Sequence, residues 1–444
     1  MTVQAQELWN SLLDAGRGEW LKGIESFREG LVERGVRFGD RGLCNHLRPK
    51  FLTESLYRRL QDTSEAVMAG IMEAKDRLLQ DARLMEIIGL RADELRFVDV
   101  DPGYEHIAPC VRLDSFLTPT GPRYVELNGE CPAGCAYGWE LAKAFEQHPL
   151  MQRFMARMPA RPIDTLTPLL ETLLACYREW GGTRRPVIAI VDYLDLPTVP
   201  EFHLCRDFFA SQGYEAVVAD PRTLTFDGES LVGEGKRIDL VYKRVLVNEF
   251  IERYDEVKPL FEAYEARKVC VVNPFRSKIV HKKSIFHVLT DDRRDEWMQP
   301  ETRRLVDEAI PWTRRLREGV TTFEGRDVDL LEFVMEQQDQ FVLKPNDEYG
   351  GKGIFMGWEC DTGTWRTHVE NALGNDYVVQ RRLEILAEAF PSMERGLEQD
   401  SLFVDLDPYL YLGRMHGALA RLGAGSLCNV TSGGGQVPLF IVPD

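Results

Sequence analysis

The chain has no run of eighteen apolar residues, so an ordinary membrane-spanning helix is not expected. Its first residues, Met1-Thr-Val-Gln-Ala-Gln-Glu, lack the basic and apolar parts of a secretion signal. The nine cysteines are an odd, scattered set, which argues against a disulfide framework and makes the cytoplasm the expected compartment. Cys131 and Cys135 are the closest pair, but no second pair nearby completes a zinc site. Positive charge is in deficit, with a formal net charge of -17. Nucleic acids and anionic membranes want a basic face, so neither is an expected partner. ATP stays open, because magnesium and a few lysines reverse the sign locally. There is no Walker A sequence and no G-x-G-x-x-G opening a helix. No Ser/His/Asp or Cys/His set stands out either, so side-chain nucleophilic catalysis is not expected.

At 444 residues, 44% hydrophobic and 28% charged, the chain reads as a soluble globular protein of two or three compact units. Its centre of interest is Phe341-Val-Leu-Lys344-Pro-Asn-Asp-Glu348-Tyr-Gly350-Gly351-Lys352-Gly353-Ile354. An apolar strand delivers a lysine, a proline-led turn follows, and glycines allow the backbone close to a ligand. Lys344 places a point charge on a phosphate, and Glu348 can hold a magnesium ion beside it. A lysine-bearing hairpin with a glycine turn explains the glycines equally well.

Residues 1 to about 95 carry helical periodicity, as in Leu56, Leu60, Val67 and Ile71. Leu95 to Val100 alternates like a strand. Cys110 to Phe116 and Arg123 to Asn128 read as a hairpin around Thr118-Pro-Thr-Gly-Pro122. Side chains two apart share a strand face, so Arg112 and Asp114 form one pair and Glu126 and Asn128 another. Carboxylate plus amide oxygen suits magnesium, although ordinary solvent-facing polars read the same way. From Val187 to Cys270, strand and helix patterns alternate as an α/β unit, with Arg244 just after a strand. Lys282 and Lys283 open a helix against its dipole, which hints at an anion nearby, with solvated lysines as the plainer reading. Residues 287 to 330 look charged and helical. Val379, Gln380 and Arg381 end an apolar strand that can face a purine edge. Arg421, Asn429 and the run Gly433, Gly434, Gly435 close the chain, and three ordered glycines suggest a ligand loop.

In this order the pieces resemble the ATP-grasp ligases. Glu126-x-Asn128 lies ahead of both lysine motifs, and Asn429-Val-Thr-Ser-Gly-Gly-Gly ends the chain. That order is similar to the circularly permuted ATP-grasp group, which includes eukaryotic-type glutathione synthetases and the synthetase domain of glutathionylspermidine synthase. The chain departs from the glutathione synthetases at Arg421-Leu-Gly423, where they carry Arg-x-Lys. The resemblance implies an α/β (α+β) fold: a permuted ATP-grasp with an inserted α/β substrate domain and a helical N-terminal region. Its divisions are 1–95 (helical), 96–185 (core with the metal strand), 186–275 (substrate domain), 276–400 (lid and nucleotide part) and 401–444 (return to the core). It implies an ATP- and Mg2+-dependent carboxylate–amine ligase working through an acyl phosphate on an amino acid, peptide or polyamine-type substrate. Such enzymes are often dimers or higher oligomers. A phosphotransferase without an amine acceptor and a non-catalytic nucleotide-binding scaffold are the alternatives. The implied metal ligands are Asp114, Glu126, Asn128 and Glu348. Lys282, Lys283, Lys344, Gly350, Gly351, Gly353, Val379, Gln380 and Arg381 would meet ATP. Arg112 and Arg421 would act on the reacting carboxylate. Arg244, Asn429, Gly433 and Gly434 would select substrate.

Overall fold

The computed structural model describes residues 2–348, 350–425, 428, 430 and 433–444. A six-stranded antiparallel sheet forms its centre. The hairpin Cys110–Thr118 and Gly121–Asn128 supplies one edge. Strands Glu398–Tyr411, Arg414–Gly423 and Gly435–Val437 continue it, and Ala387–Ser392 pairs with Glu398–Tyr411. Phe116 pairs with Asp405 and Arg112 with Tyr409, which joins the early hairpin to the last fifty residues. Two segments nearly three hundred residues apart thereby share one face.

The longest of the N-terminal helices, Glu54–Gln80, packs on this sheet. Thr53 caps it by accepting from Leu56 N–H, and Leu60, Val67, Ile71 and Leu78 turn into the core. The segment expected as a strand at Leu95 is instead a helix, Ala92–Val98. Its apolar residues fit either period over so short a window. Glu94 decides the matter by accepting from the Arg91 N–H at 2.7 Å, which fixes the first turn.

The α/β unit is a four-stranded parallel sheet, in the order Cys270–Val272, Leu240–Lys243, Ile188–Val191, Ala216–Ala219. Chain order runs outward from Ile188–Val191 in both directions, so a crevice opens between it and Leu240–Lys243. A second antiparallel sheet forms a lid: Thr313–Arg315, Tyr377–Arg381, Phe341–Pro345 and Phe355–Met356. It has its own core of Phe341, Leu343, Trp365 and Val379. Residues 287–330 are only partly helical, because Thr313–Arg315 joins the lid sheet and Val320–Phe323 pairs with Arg326–Asp329. Strands of three or four residues are too short to show a period. Among the described residues no helix is long and apolar enough to cross a membrane.

Candidate active site

The two antiparallel sheets and the parallel sheet meet around one cavity of about 610 Å3, a normal size for a small-molecule site. The hairpin forms one wall. Asp114 pairs with Glu126 and Arg112 with Asn128, so the four side chains sit together as the two-residue strand period requires. Arg112 donates to both oxygens of Asp114, at 2.9 and 3.2 Å. Arg421, from the C-terminal strand, reaches Asp114 at 2.6 Å and also bonds Asp405. Asp407 Oδ2 lies 2.9 Å from Arg421 but off its N–H direction, while Asp407 Oδ1 accepts from Ser115 N–H at 3.1 Å. Oxygens of Asp114, Asp405 and Asp407 converge within 4.8 Å, and the cation among them is the Arg421 guanidinium. Burial raises the Asp114 carboxyl, but Arg112 and Arg421 outweigh it and hold the group well below the usual range. Arg112 and Arg421 thus line the cavity with their charges already matched by aspartates.

Asn128 spends its NH2 on Asp114 at 2.7 Å, which leaves its carbonyl oxygen on the other side of the amide. Glu126 is half-buried and lies 3.3 Å from Lys283. These two hard oxygen donors, on one strand face at the cavity wall, fit magnesium. Asp114 holds the amide rather than adding a third open donor.

Lys344 comes from the lid. It is 8% exposed, donates to Gln380 Oε1 at 2.7 Å and sits 3.3 Å from the Val125 carbonyl. Among the described residues no carboxylate lies within ion-pair distance of it. Burial lowers its pKa to about 8, with Glu126 pulling the other way. The strand turns after Pro345 and returns at Phe355, so the glycine loop is a hairpin turn that also borders the cavity. Gly350, Gly351 and Gly353 all have positive φ. At Gly353 a Cβ would stand 2.8 Å from Pro345 and 2.9 Å from the Tyr377 hydroxyl, so only glycine fits. The loop is moored at its start. Asp347 accepts from Lys278 at 2.5 Å and Lys282 at 3.0 Å, and Asn346 accepts from Ser284 N–H at 2.8 Å.

The lysine pair therefore divides. Neither is a lining residue: Lys282 is buried between Asp347 and Glu94, whereas Lys283 reaches Glu126, which does line the cavity, and the Glu348 carbonyl. The Glu348 side chain is exposed beside the loop. Gln380 and Arg381 line the cavity, but Val379 points into the lid core and its strand is paired on both edges. It has no spare backbone groups for a purine. Gly433 and Gly434 offer carbonyls to Arg41, at 3.4 and 3.1 Å, and are not among the lining residues. Asn429 lies outside the described residues.

Arg244 lines the far end. It donates to Pro132 O at 2.6 Å and Tyr242 Oη at 2.8 Å, and lies 3.5 Å from Glu201. Three buried acids escaped the sequence reading. Glu201 accepts from Gly134 N–H at 2.7 Å and Ala136 N–H at 3.2 Å, and Glu130 accepts from Val247 N–H at 2.8 Å. They strap the loop after the metal-type strand to the parallel sheet. Asp192, 5% exposed at the end of Ile188–Val191, is the third. A glutamate in a helix pattern or an aspartate after a strand carries no sequence signal of such a partner.

Cys131 lines the cavity, but burial pushes its thiol up to about 12. The nucleophilic form is the thiolate. Cys131 is therefore expected to alkylate slowly with iodoacetamide at pH 7.5. Rapid single-site labelling on mass spectrometry would reject this.

No family model matches the chain. It is 23% identical over 335 residues to a protein of Frankia casuarinae provisionally named glutamate–cysteine ligase 2-2. That match covers 71% of this chain but spans only 36% of the relative's length. A provisionally named gamma-glutamylcysteine synthetase of Methylobacillus flagellatus aligns with a TM-score of 0.43 at 12% identity, over 88% of each chain. A glutathione synthetase-like effector of Globodera pallida, solved without ligand, superimposes with a TM-score of 0.58 at 12% identity, covering 95% of this chain and 97% of that one. The chain thus has the fold of a glutathione synthetase-like protein along nearly its whole length.

Proposed function

We propose that this protein is an ATP- and Mg2+-dependent carboxylate–amine ligase with a circularly permuted ATP-grasp arrangement, acting on an amino acid or peptide. The observation that carries the reading is Lys344. A buried cation with an amide and a carbonyl for company is costly unless an anion joins it. Across the cavity wall stand Glu126 and Asn128, whose oxygens suit the cation that accompanies a nucleotide. The relative from Frankia casuarinae carries a provisional name, glutamate–cysteine ligase, of the same reaction class.

In this reading Lys344 and Lys283 hold ATP phosphates, and the 350–353 turn covers them. Val342, Met356, Ile354 and Leu383 supply an apolar wall beside Gln380 for the base. Glu126, Asn128 and, from the loop, Glu348 would hold Mg2+. An ion held there would supply positive charge to offset that of the phosphates. Arg112 and Arg421, fixed by their aspartates, present N–H groups of set direction toward the reacting carboxylate. The division at 1–95, 96–185, 186–275, 276–400 and 401–444 serves this reading as core, substrate and lid parts.

The test is calorimetric titration with ATP, with and without Mg2+, followed by an ADP-release assay. L-Glutamate with L-cysteine is the first pair to try, then other amino acids, peptides and polyamines. Mg2+-dependent binding and the joint appearance of ADP, phosphate and amide are expected. A phosphorylated product without amide would favour a phosphotransferase, and failure to bind nucleotide would reject both.

A further inference from the structure

The ligase reading leaves one step without a residue. An amine at neutral pH arrives as ammonium, and its lone pair is unavailable until a proton leaves. The cavity's far end carries a group placed to take it. The parallel sheet changes winding direction between Ile188–Val191 and Leu240–Lys243, and ligand crevices form at the carboxyl ends of such a strand pair. Asp192 and Arg244 are the residues immediately after those two strands, and both line the cavity.

The local charges favour an ammonium. The Arg244 charge is matched by Glu201 at 3.5 Å. Its Nε, fully buried, donates to nothing among the described residues. Lys243 turns its amine to the Val245 carbonyl at 3.0 Å. Asp192 accepts from its neighbour's Tyr193 N–H at 2.9 Å through Oδ1. Glu249, from the helix Val247–Glu252, also lines this end. Asp220 faces the adjoining turn through Leu194 N–H at 3.2 Å. Asp192 and Glu249 are thus acids of this lining, beside a guanidinium that Glu201 already matches.

We propose that Asp192 accepts the proton of the attacking amine and that the crevice between these two strands is the acceptor subsite for a primary ammonium. The assignment rests on the ligase reading above. The ammonium gives one proton to the Asp192 carboxylate. The freed lone pair forms the C–N bond, the bond from the acyl carbon to the phosphate oxygen breaks, and phosphate leaves with the electron pair. The second amine proton departs on phosphate. Burial pushes the Asp192 carboxyl up to about 7, against the pull of Arg244, and a base near the working pH transfers protons efficiently.

The test uses the full chain with Mg2+-ATP and L-glutamate, or whichever carboxylate the ADP screen selects, and two acceptors. Hydroxylamine is already neutral at pH 7 and needs no base, whereas L-cysteine arrives as ammonium. Asp192→Asn is expected to keep hydroxamate formation within a few-fold of wild type and to lose amide formation by about 100-fold. The residual amide rate should rise with pH, and Asp192→Glu should recover part of it. Asp192→Asn making amide at the wild-type rate overturns the assignment. So does loss of both products in a variant with an unchanged melting transition, since the effect would then not belong to the acceptor. Wild-type protein that makes no hydroxamate with any carboxylate overturns the ligase reading, and the assignment falls with it.

Discussion

Lys344→Ala is expected to lower Mg2+-ATP turnover by about 100-fold or more and to leave the fold intact. Removing one positioned charge donor from a closed site typically costs that much. Folding responds differently. The wild-type ammonium is desolvated, with only Gln380 Oε1 at 2.7 Å and the Val125 carbonyl at 3.3 Å to hold it. Its loss removes a desolvation penalty and forfeits two hydrogen bonds, so the net change in stability is expected within about 1–2 kcal/mol. Urea unfolding and ADP release on the same sample separate the two. The lysine's pKa near 8 adds a second check. It is charged below that value and neutral above it, so wild-type ATP affinity should weaken as pH rises through 8, and Lys344→Arg should flatten that slope. Glu126→Ala should instead abolish the Mg2+ dependence of binding. A Lys344→Ala protein that turns over ATP at the wild-type rate removes the central support for the nucleotide site.

How much of this was legible in the sequence depends on distance along the chain. Glu126 and Asn128 could be paired from a two-residue spacing, and Arg112 and Asp114 joined them through a recognisable hairpin. Lys344 was legible because strand, proline and glycines follow one another. The α/β unit showed in its alternating runs, and the winding order of its strands did not. Two kinds of information were missing. Short windows do not fix a period, so the helix Ala92–Val98 read as a strand until Glu94 was seen to close its first turn. Contacts between remote segments leave no trace at either end. Lys282 looked like a phosphate ligand beside Lys283, and only the fold brings Glu94 and Asp347 to neutralise it. The same holds for Arg421, whose three aspartates come from strands at 110–118 and 398–411.

That last cluster gives the largest expected effect on stability. Arg421→Leu is expected to destabilise the protein by about 3–5 kcal/mol at pH 7, because it strands buried acids without their cation. Asp114, Asp405 and Asp407 face Arg112 and Arg421. Burial, together with the nearby Asp114 and Asp405, pushes the Asp407 carboxyl well up despite Arg421. Removing Arg421 takes one positive charge from the cluster, and removing Asp405 as well restores its net charge. Arg421→Leu/Asp405→Leu should therefore recover most of the loss, which a pure packing defect would not allow. The pH dependence has a definite sign. Asp114 is held below its unfolded value, so in wild type it contributes stability above that value and loses it as pH falls through the folded one. In Arg421→Leu the carboxyls regain protons at higher pH, and protonation relieves the repulsion. The gap between wild type and variant in urea unfolding should narrow between pH 7 and pH 4.5. A gap that stays constant, with no recovery in the double variant, would mean that Arg421 serves the sheet by shape alone.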